Sequence, residues 1–196
     1  MVPTLPAMTD DTAQPFLVEP PVAGSEADTL IGSLERQRRT FAWKCEGLDA
    51  AGLRTRLAPS ALTLGGLLKH LALVEDEYFT RRLLGVGLPA PWDAADRDTD
   101  PEWEWRSAAA DEPEYLYALW RDAVARSREN LRQVLSEAGV DQPARHTWPD
   151  GRAPSVRRLL VDLIEEYARH VGQADLLREA LDGRVGEDPP VGFPAP

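Results

Sequence analysis

Apolar residues recur at helical spacing in four stretches of the chain. In the first, Leu30, Ile31, Leu34, Phe41 and Cys45 share a face, which predicts a helix from about Ala27 to Glu46. Glu26 and Asp28 stand where the positive end of the helix dipole favours acids, and Gly47 is the expected stop. In the second, Leu64, Leu67, Leu71, Val74 and Tyr78 predict a helix from about Leu62 to Leu84, capped by Ser60 or Thr63 and ended by Gly85. Gly65 and Gly66 weaken that helix by about 1 kcal/mol each relative to alanine and suggest the close approach of another backbone.

The third stretch opens at Asp111 with Pro113 in its first turn and ends at Gly139. Its stripe is Leu116, Leu119, Trp120, Ala123, Ser127, Leu131 and Val134. The fourth runs from Pro154 or Ser155 to Leu181 and stops at Gly183, with Val156, Leu159, Leu163, Tyr167, Ala174, Leu177 and Leu181 in line. No stretch reads convincingly as a strand. The expectation is an all-α four-helix bundle over residues 26–185.

Two connections stand out. Residues 85–111 are too long for a tight turn, which predicts a crossover between the second and third long helices. Trp92, Trp103 and Trp105 lie in it. Trp103 and Trp105 are candidates for lining a substrate pocket, and capping the core or a homodimer contact explains them equally well. Residues 139–154 carry a Pro149-Asp150-Gly151 turn signal beside His146 and Arg152. Residues 1–25, with five prolines, read as an extended or disordered arm, and residues 186–196 as a flexible tail.

Composition narrows the function classes. There are 33 acidic against 22 basic residues and a net charge of −11, which argues against nucleic acid or an anionic membrane as partner. No apolar run approaches the roughly 20 residues of a membrane helix, and no signal peptide is visible. Cys45 is the only cysteine, so no internal disulfide forms and a cytoplasmic location fits. Cys45 reads as a packing residue at a helix end, not a nucleophile.

The candidate chemistry lies on the fourth helix. Glu166 and His170 are four residues apart, hence on adjacent turns, and both fall inside the apolar stripe. A carboxylate on a core face is costly unless something positive meets it. A metal would satisfy both side chains, and a neutral Glu166 hydrogen-bonded to His170 is the competing explanation. His70, at the margin of the second helix's apolar face, is the candidate third ligand. Two imidazoles and one carboxylate suit Zn, Ni, Fe or Mn and leave positions open for a small-molecule substrate. Asp162 and Glu77, one and two turns from the ligands, and Gln173 are candidates to hydrogen-bond them. Arg152 is a candidate substrate-binding cation, although a solvated side chain explains it as well.

His170-Val171-Gly172-Gln173, with a ligand candidate four residues earlier, resembles the last-helix signature His-x3-His-x-Gly-Gln of the DinB/YfiT-like superfamily of metalloenzymes. Leu68-Lys69-His70-Leu71 resembles the second-helix motif of the same families, and Asp100-Pro101-Glu102-Trp103-Glu104 is similar to a branch of unknown function frequent in actinobacteria. The resemblance covers about residues 26–185. It implies a four-helix bundle with a long second crossover, a divalent metal on His70, Glu166 and His170, and thiol-dependent chemistry of the kind carried out by mycothiol-dependent S-transferases and maleylpyruvate isomerase. A metal-dependent hydrolase, an isomerase and a non-catalytic ligand-binding bundle are the alternatives. The chain departs from the signature at Glu166, where the superfamily commonly has a histidine.

Overall fold

The computed structural model describes residues 17–96 and 98–196, and all the described helices are α-helices apart from one π-helical and one 3-10 turn. No strand occurs among the described residues; Pro143 and Ser155 form an isolated bridge. The first sixteen residues of the expected N-terminal arm lie outside the described residues.

Helix α1 spans Glu26–Cys45 and begins with a capping box, in which Ser25 accepts from the Asp28 amide and Asp28 accepts from the Ser25 amide. Helix α2, Ala50–Arg54, is capped by Asp49. Helix α3, Leu64–Asp76, is capped by Thr63 and continues through the π-helical turn Glu77–Arg82. A five-residue helix α4, Trp103–Ser107, lies in the crossover. Helix α5 is Pro113–Glu137 and helix α6 is Val156–Asp182, the last capped by Ser155 and closed by Gly183 in the left-handed conformation, φ 76°.

Pairings along the long helices give their directions. Arg157 reaches Glu26 at the start of α1, and Arg178 reaches the Lys44 and Glu46 carbonyls at its end, so α1 and α6 are parallel. Gly65 lies against Leu116, Asp76 meets Arg126 and the Phe79 carbonyl meets Asn130, so α3 and α5 are also parallel. A chain that leaves the end of α3 and must enter α5 in the same direction has to travel the length of the bundle. That requirement accounts for the long segment between them.

The core joins Phe41 of α1, Leu67 and Leu71 of α3, Trp120 and Ala123 of α5, and Leu163 and Tyr167 of α6, all almost fully buried. Trp120 and Tyr167 meet Phe41 edge-on, with centroids 5.3 and 6.3 Å away. Charge is buried as well. Arg38 donates to both carboxylate oxygens of Glu75 at 2.7 and 2.5 Å and to Glu35 at 2.7 Å, while the Tyr167 hydroxyl donates to Glu75 at 2.7 Å. The two helix-α3 glycines make room for neighbours. A Cβ on Gly65 would stand 3.1 Å from the Leu53 carbonyl oxygen, and one on Gly66 would stand 3.1 Å from the Trp105 ring.

The crossover is pinned at several points. The Trp92 indole donates to buried Asp76 at 2.9 Å. Buried Lys69 donates to Asp111 at 2.5 Å and lies 4.5 Å from the Trp103 ring centre. In residues 186–196 the Phe193 carbonyl accepts from Arg39 and the Pro196 carbonyl accepts from Arg128. Lys44 donates to the Gly186 carbonyl at 2.8 Å.

Candidate metal centre

His70 comes from the middle of α3, and Glu166 and His170 come from adjacent turns of α6. The Tyr167 hydroxyl, between Glu166 and His170 on α6, donates to Glu75 of α3 at 2.7 Å and so ties the two helices together at this level. The potential ligand atoms of the three side chains all lie within 4.8 Å of one another. His70 Nε2 is 3.2 Å and His170 Nε2 3.1 Å from the same oxygen, Glu166 Oε1. The site is not sealed: the Glu166 side chain keeps 26% of its surface, against 17% for His70 and 8% for His170.

Each imidazole is held from behind. Nδ1 of His170 donates to the Gln173 side-chain oxygen at 2.7 Å. Nδ1 of His70 faces Glu104 Oε1 at 3.4 Å, and the Trp105 ring stacks on the same imidazole, 4.4 Å between centres and 22° between planes. With both Nδ1 atoms engaged, the Nε2 atoms are the ones that look into the site.

The electrostatics follow from these contacts. Hydrogen bonds from His170 and His70 hold the Glu166 carboxyl well below the usual carboxylate range, against the opposing effect of its partial burial. Burial works against charge on His70, but the hydrogen bonds to Glu104 and Glu166 outweigh it and raise the imidazole above its ordinary value. Glu166 is therefore an ionised carboxylate between two imidazoles.

The donor set fits a divalent cation. For bonds of about 2.0–2.1 Å, neighbouring ligand atoms around one ion stand roughly 2.9–3.4 Å apart, and the two histidine–glutamate separations of 3.1 and 3.2 Å fall within that span. Two imidazole nitrogens and one carboxylate oxygen suit Zn, Ni, Fe or Mn.

The other candidates are placed as follows. Asp162 accepts from Arg158 at 2.5 Å, and Glu77 accepts from Arg81 and Arg82 at 3.0 and 3.3 Å. Trp105 borders the site, whereas Trp103 lies over Lys69 and meets Trp92 edge-on. Arg152 is exposed in the 145–155 loop, paired with Asp150 and 5.8 Å from the Trp148 ring centre. Cys45 is buried, and burial pushes its thiol well above the ordinary value, Arg178 offsetting only part.

Sequence reasoning missed two residues. Glu104 is 5% exposed although it sits in a connection. It closes the Asp100-Pro101-Glu102-Trp103-Glu104 motif and stands between two tryptophans, but a segment without period does not say which side faces inward. Tyr78 lies on the π-helical turn beneath the site. Burial raises its hydroxyl, Arg82, stacked 4.3 Å away, opposes this, and Asp162 and Glu166 add to it. Two cavities open elsewhere and include none of the three ligand candidates: one of about 410 Å³ beside Arg81, Trp92 and His146, and one of about 280 Å³ between Tyr117, Trp120 and Phe193.

Comparison with known proteins agrees with the fold and shows the family. A crystal structure of the conserved protein of locus from Enterococcus faecalis aligns with 83% of this chain and 100% of that chain, at 20% identity and a TM-score of 0.58. At that identity the likeness concerns the fold alone. No curated protein matches the sequence. Residues 29–183 match the family described as Mycothiol-S-transferase, a span that holds His70, Glu104, Glu166 and His170. The chain therefore belongs to the mycothiol S-transferase family, within the DinB/YfiT-like superfamily that its motifs resemble.

Proposed function

We propose that the protein is a metal-dependent S-transferase that joins a low-molecular-weight thiol, mycothiol or a close relative, to a small electrophile. The reading rests on the convergence of His70 Nε2, His170 Nε2 and Glu166 Oε1 at an open site in a chain of this family. In the reaction a sulfur–carbon bond forms, the bond from that carbon to its leaving group breaks, and the thiol proton passes to solvent. A divalent cation held by His70, Glu166 and His170 would lower the pKa of a thiol brought to it, so that thiolate is present at neutral pH.

The chain's own residues do the rest. Gln173 and Glu104 hold the two imidazoles with Nε2 facing inward. Trp105 forms an apolar wall on the flat face of His70 and would keep water from that flank of the site. The exposed edge of Glu166 leaves a path for the proton. Glu166 in place of a third histidine brings one more negative charge to the site and would lower the Lewis acidity of the ion, and a thiol, a stronger acid than water, needs less of it to ionise.

A second reading has an observation of its own. The same 3.1 and 3.2 Å contacts also close a metal-free His–Glu–His hydrogen-bonded cluster, as a ligand-binding bundle would use. Metal analysis separates the two. The expected result is about one divalent ion per chain, and thiol-dependent conjugation of a chromogenic electrophile such as chlorodinitrobenzene that disappears in His70→Ala and His170→Ala. Protein without stoichiometric metal, whose turnover survives both substitutions, overturns the proposal. Turnover indifferent to mycothiol overturns the thiol assignment and favours a hydrolase or isomerase.

A further inference from the structure

We infer that the crossover segment is the clamp of the metal centre: Glu104 and Trp105 together are positioning residues that fix His70 in the Nδ1–H form, with Nε2 turned towards Glu166 and His170. The inference rests on the metal reading above for its effect on affinity, but its geometric content stands in the metal-free protein too.

Three observations point the same way. Glu104 Oε1 stands 3.4 Å from His70 Nδ1, in the direction opposite to Glu166. A carboxylate oxygen accepts hydrogen bonds, so Nδ1, facing Glu104, carries a proton, and the proton that Nε2 shares with Glu166 Oε1 is the one an incoming ion would displace. Trp105 covers the flat face of the same ring at 4.4 Å and 22° and so opposes rotation of the imidazole out of plane. Gly66, one turn before His70 on the same side of α3, leaves the space in which the Trp105 ring sits, since a Cβ there would come to 3.1 Å from Cε3 and 3.6 Å from Cζ3. Sequence position alone cannot arrange this. Glu104 is 34 residues from His70, and it arrives only because its segment is pinned by Trp92 to Asp76 and by Lys69 to Asp111 and Trp103.

The consequence is chemical. A ligating imidazole whose far nitrogen donates to a carboxylate is both oriented and made a better donor, and losing such a partner typically weakens metal affinity about 10–100-fold. Placing that carboxylate on a crossover makes the order of the crossover and the affinity of the site one property. It also gives His70 a support equivalent to the one Gln173 gives His170.

The test uses the full-length protein with Zn²⁺ as probe, titrated in competition with a chromophoric chelator, and long-range ¹H–¹⁵N spectra of the histidine rings with and without the ion. Glu104→Ala is expected to bind Zn²⁺ about 10–100-fold more weakly. Glu104→Gln, which keeps an acceptor, should fall between it and wild type. Trp105→Phe should retain affinity that Trp105→Ala loses. In all of these the His170 ring signals stay unchanged while the His70 Nδ1–H signal of wild type is lost in Glu104→Ala. A Glu104→Ala protein with wild-type affinity, or with the His70 Nδ1–H signal intact in the metal-free state, overturns the clamp. If Glu104→Ala does not fold, Glu104→Leu, which fills the same space without an acceptor, decides by the same criterion. Wild-type protein that binds no Zn²⁺ but loses the His70 Nδ1–H signal on Glu104→Ala upholds the clamp geometry and overturns the metal reading instead.

Discussion

The buried charges beneath the site make the sharpest energetic prediction. Arg38 is 1% and Glu75 0% exposed, and they meet through two hydrogen bonds of 2.7 and 2.5 Å. Glu75 also accepts from Tyr167, the residue between Glu166 and His170 on α6, so the pair anchors the turn that presents the site. Replacing Arg38 by Met keeps volume but removes the charge that faces Glu75. The carboxylate then retains the Tyr167 hydroxyl as its remaining side-chain partner in this network. Breaking one side of a buried pair costs about 3–5 kcal/mol. For a chain of this length each kcal/mol shifts Tm by about 2–4 °C, so Arg38→Met should lower Tm by roughly 6–20 °C. Equilibrium urea unfolding, followed by tryptophan fluorescence, measures the loss directly. Replacing Glu75 by Gln in the same chain removes the orphaned charge and should restore about 2–3 kcal/mol of it. A single variant that loses less than about 1 kcal/mol, or a double variant no more stable than the single, would refute the claim that an uncompensated charge is the dominant cost.

Acid unfolding offers a related check through Glu35. Burial alone would raise its carboxyl, but Arg38 and Arg128 outweigh that and hold it below the ordinary value. A lowered folded-state pKa gives stability that is present above about pH 4.5 and is lost as pH falls through the folded value. Glu35→Gln should therefore flatten the acid limb of the stability–pH curve measured by urea melts at several pH values, and an unchanged acid limb would count against the pairing. At the site, Glu166→Gln removes the anionic ligand while keeping the shape. It should weaken Zn²⁺ binding at least tenfold in a chelator competition, and unaltered affinity would show that the carboxylate does not ligate. Trp92→Phe removes the indole donor to Asp76, which still has Arg126. A loss of about 1–2 kcal/mol in urea melts is expected, together with faster amide exchange across residues 98–108. Protection identical to wild type would mean that Trp92 does not pin the crossover.

The long helices were legible because their signals are local. Thr63, Ser155 and Gly183 cap within a turn of themselves, and the apolar stripes repeat every turn, so the expected and observed ends differ by only one or two residues at most termini. Helices α2 and α4 escaped notice because five residues are too few to display a period. The expected helix through Leu84 is continuous but passes through a π-helical turn at Glu77–Arg82, and no residue pattern announces that change of winding.

The candidate site divides in the same way. By itself the sequence determined that Glu166 and His170 are neighbours, because a helix places residues four apart on one face whatever surrounds it. It also determined that His70 lies at the edge of a helical apolar face, and that the segment after it is too long for a turn. Only the tertiary structure decided that α3 and α5 run parallel, that Glu104 comes to His70 across 34 residues, and that Arg38 answers Glu75. Asp162 and Glu77 were plausible supports by spacing, yet arginines on their own helices reach them. The physical reason is that helix geometry is set within a few residues, whereas a charged side chain takes whichever partner the packing of distant segments delivers, because the cost of desolvating it depends on all of them together.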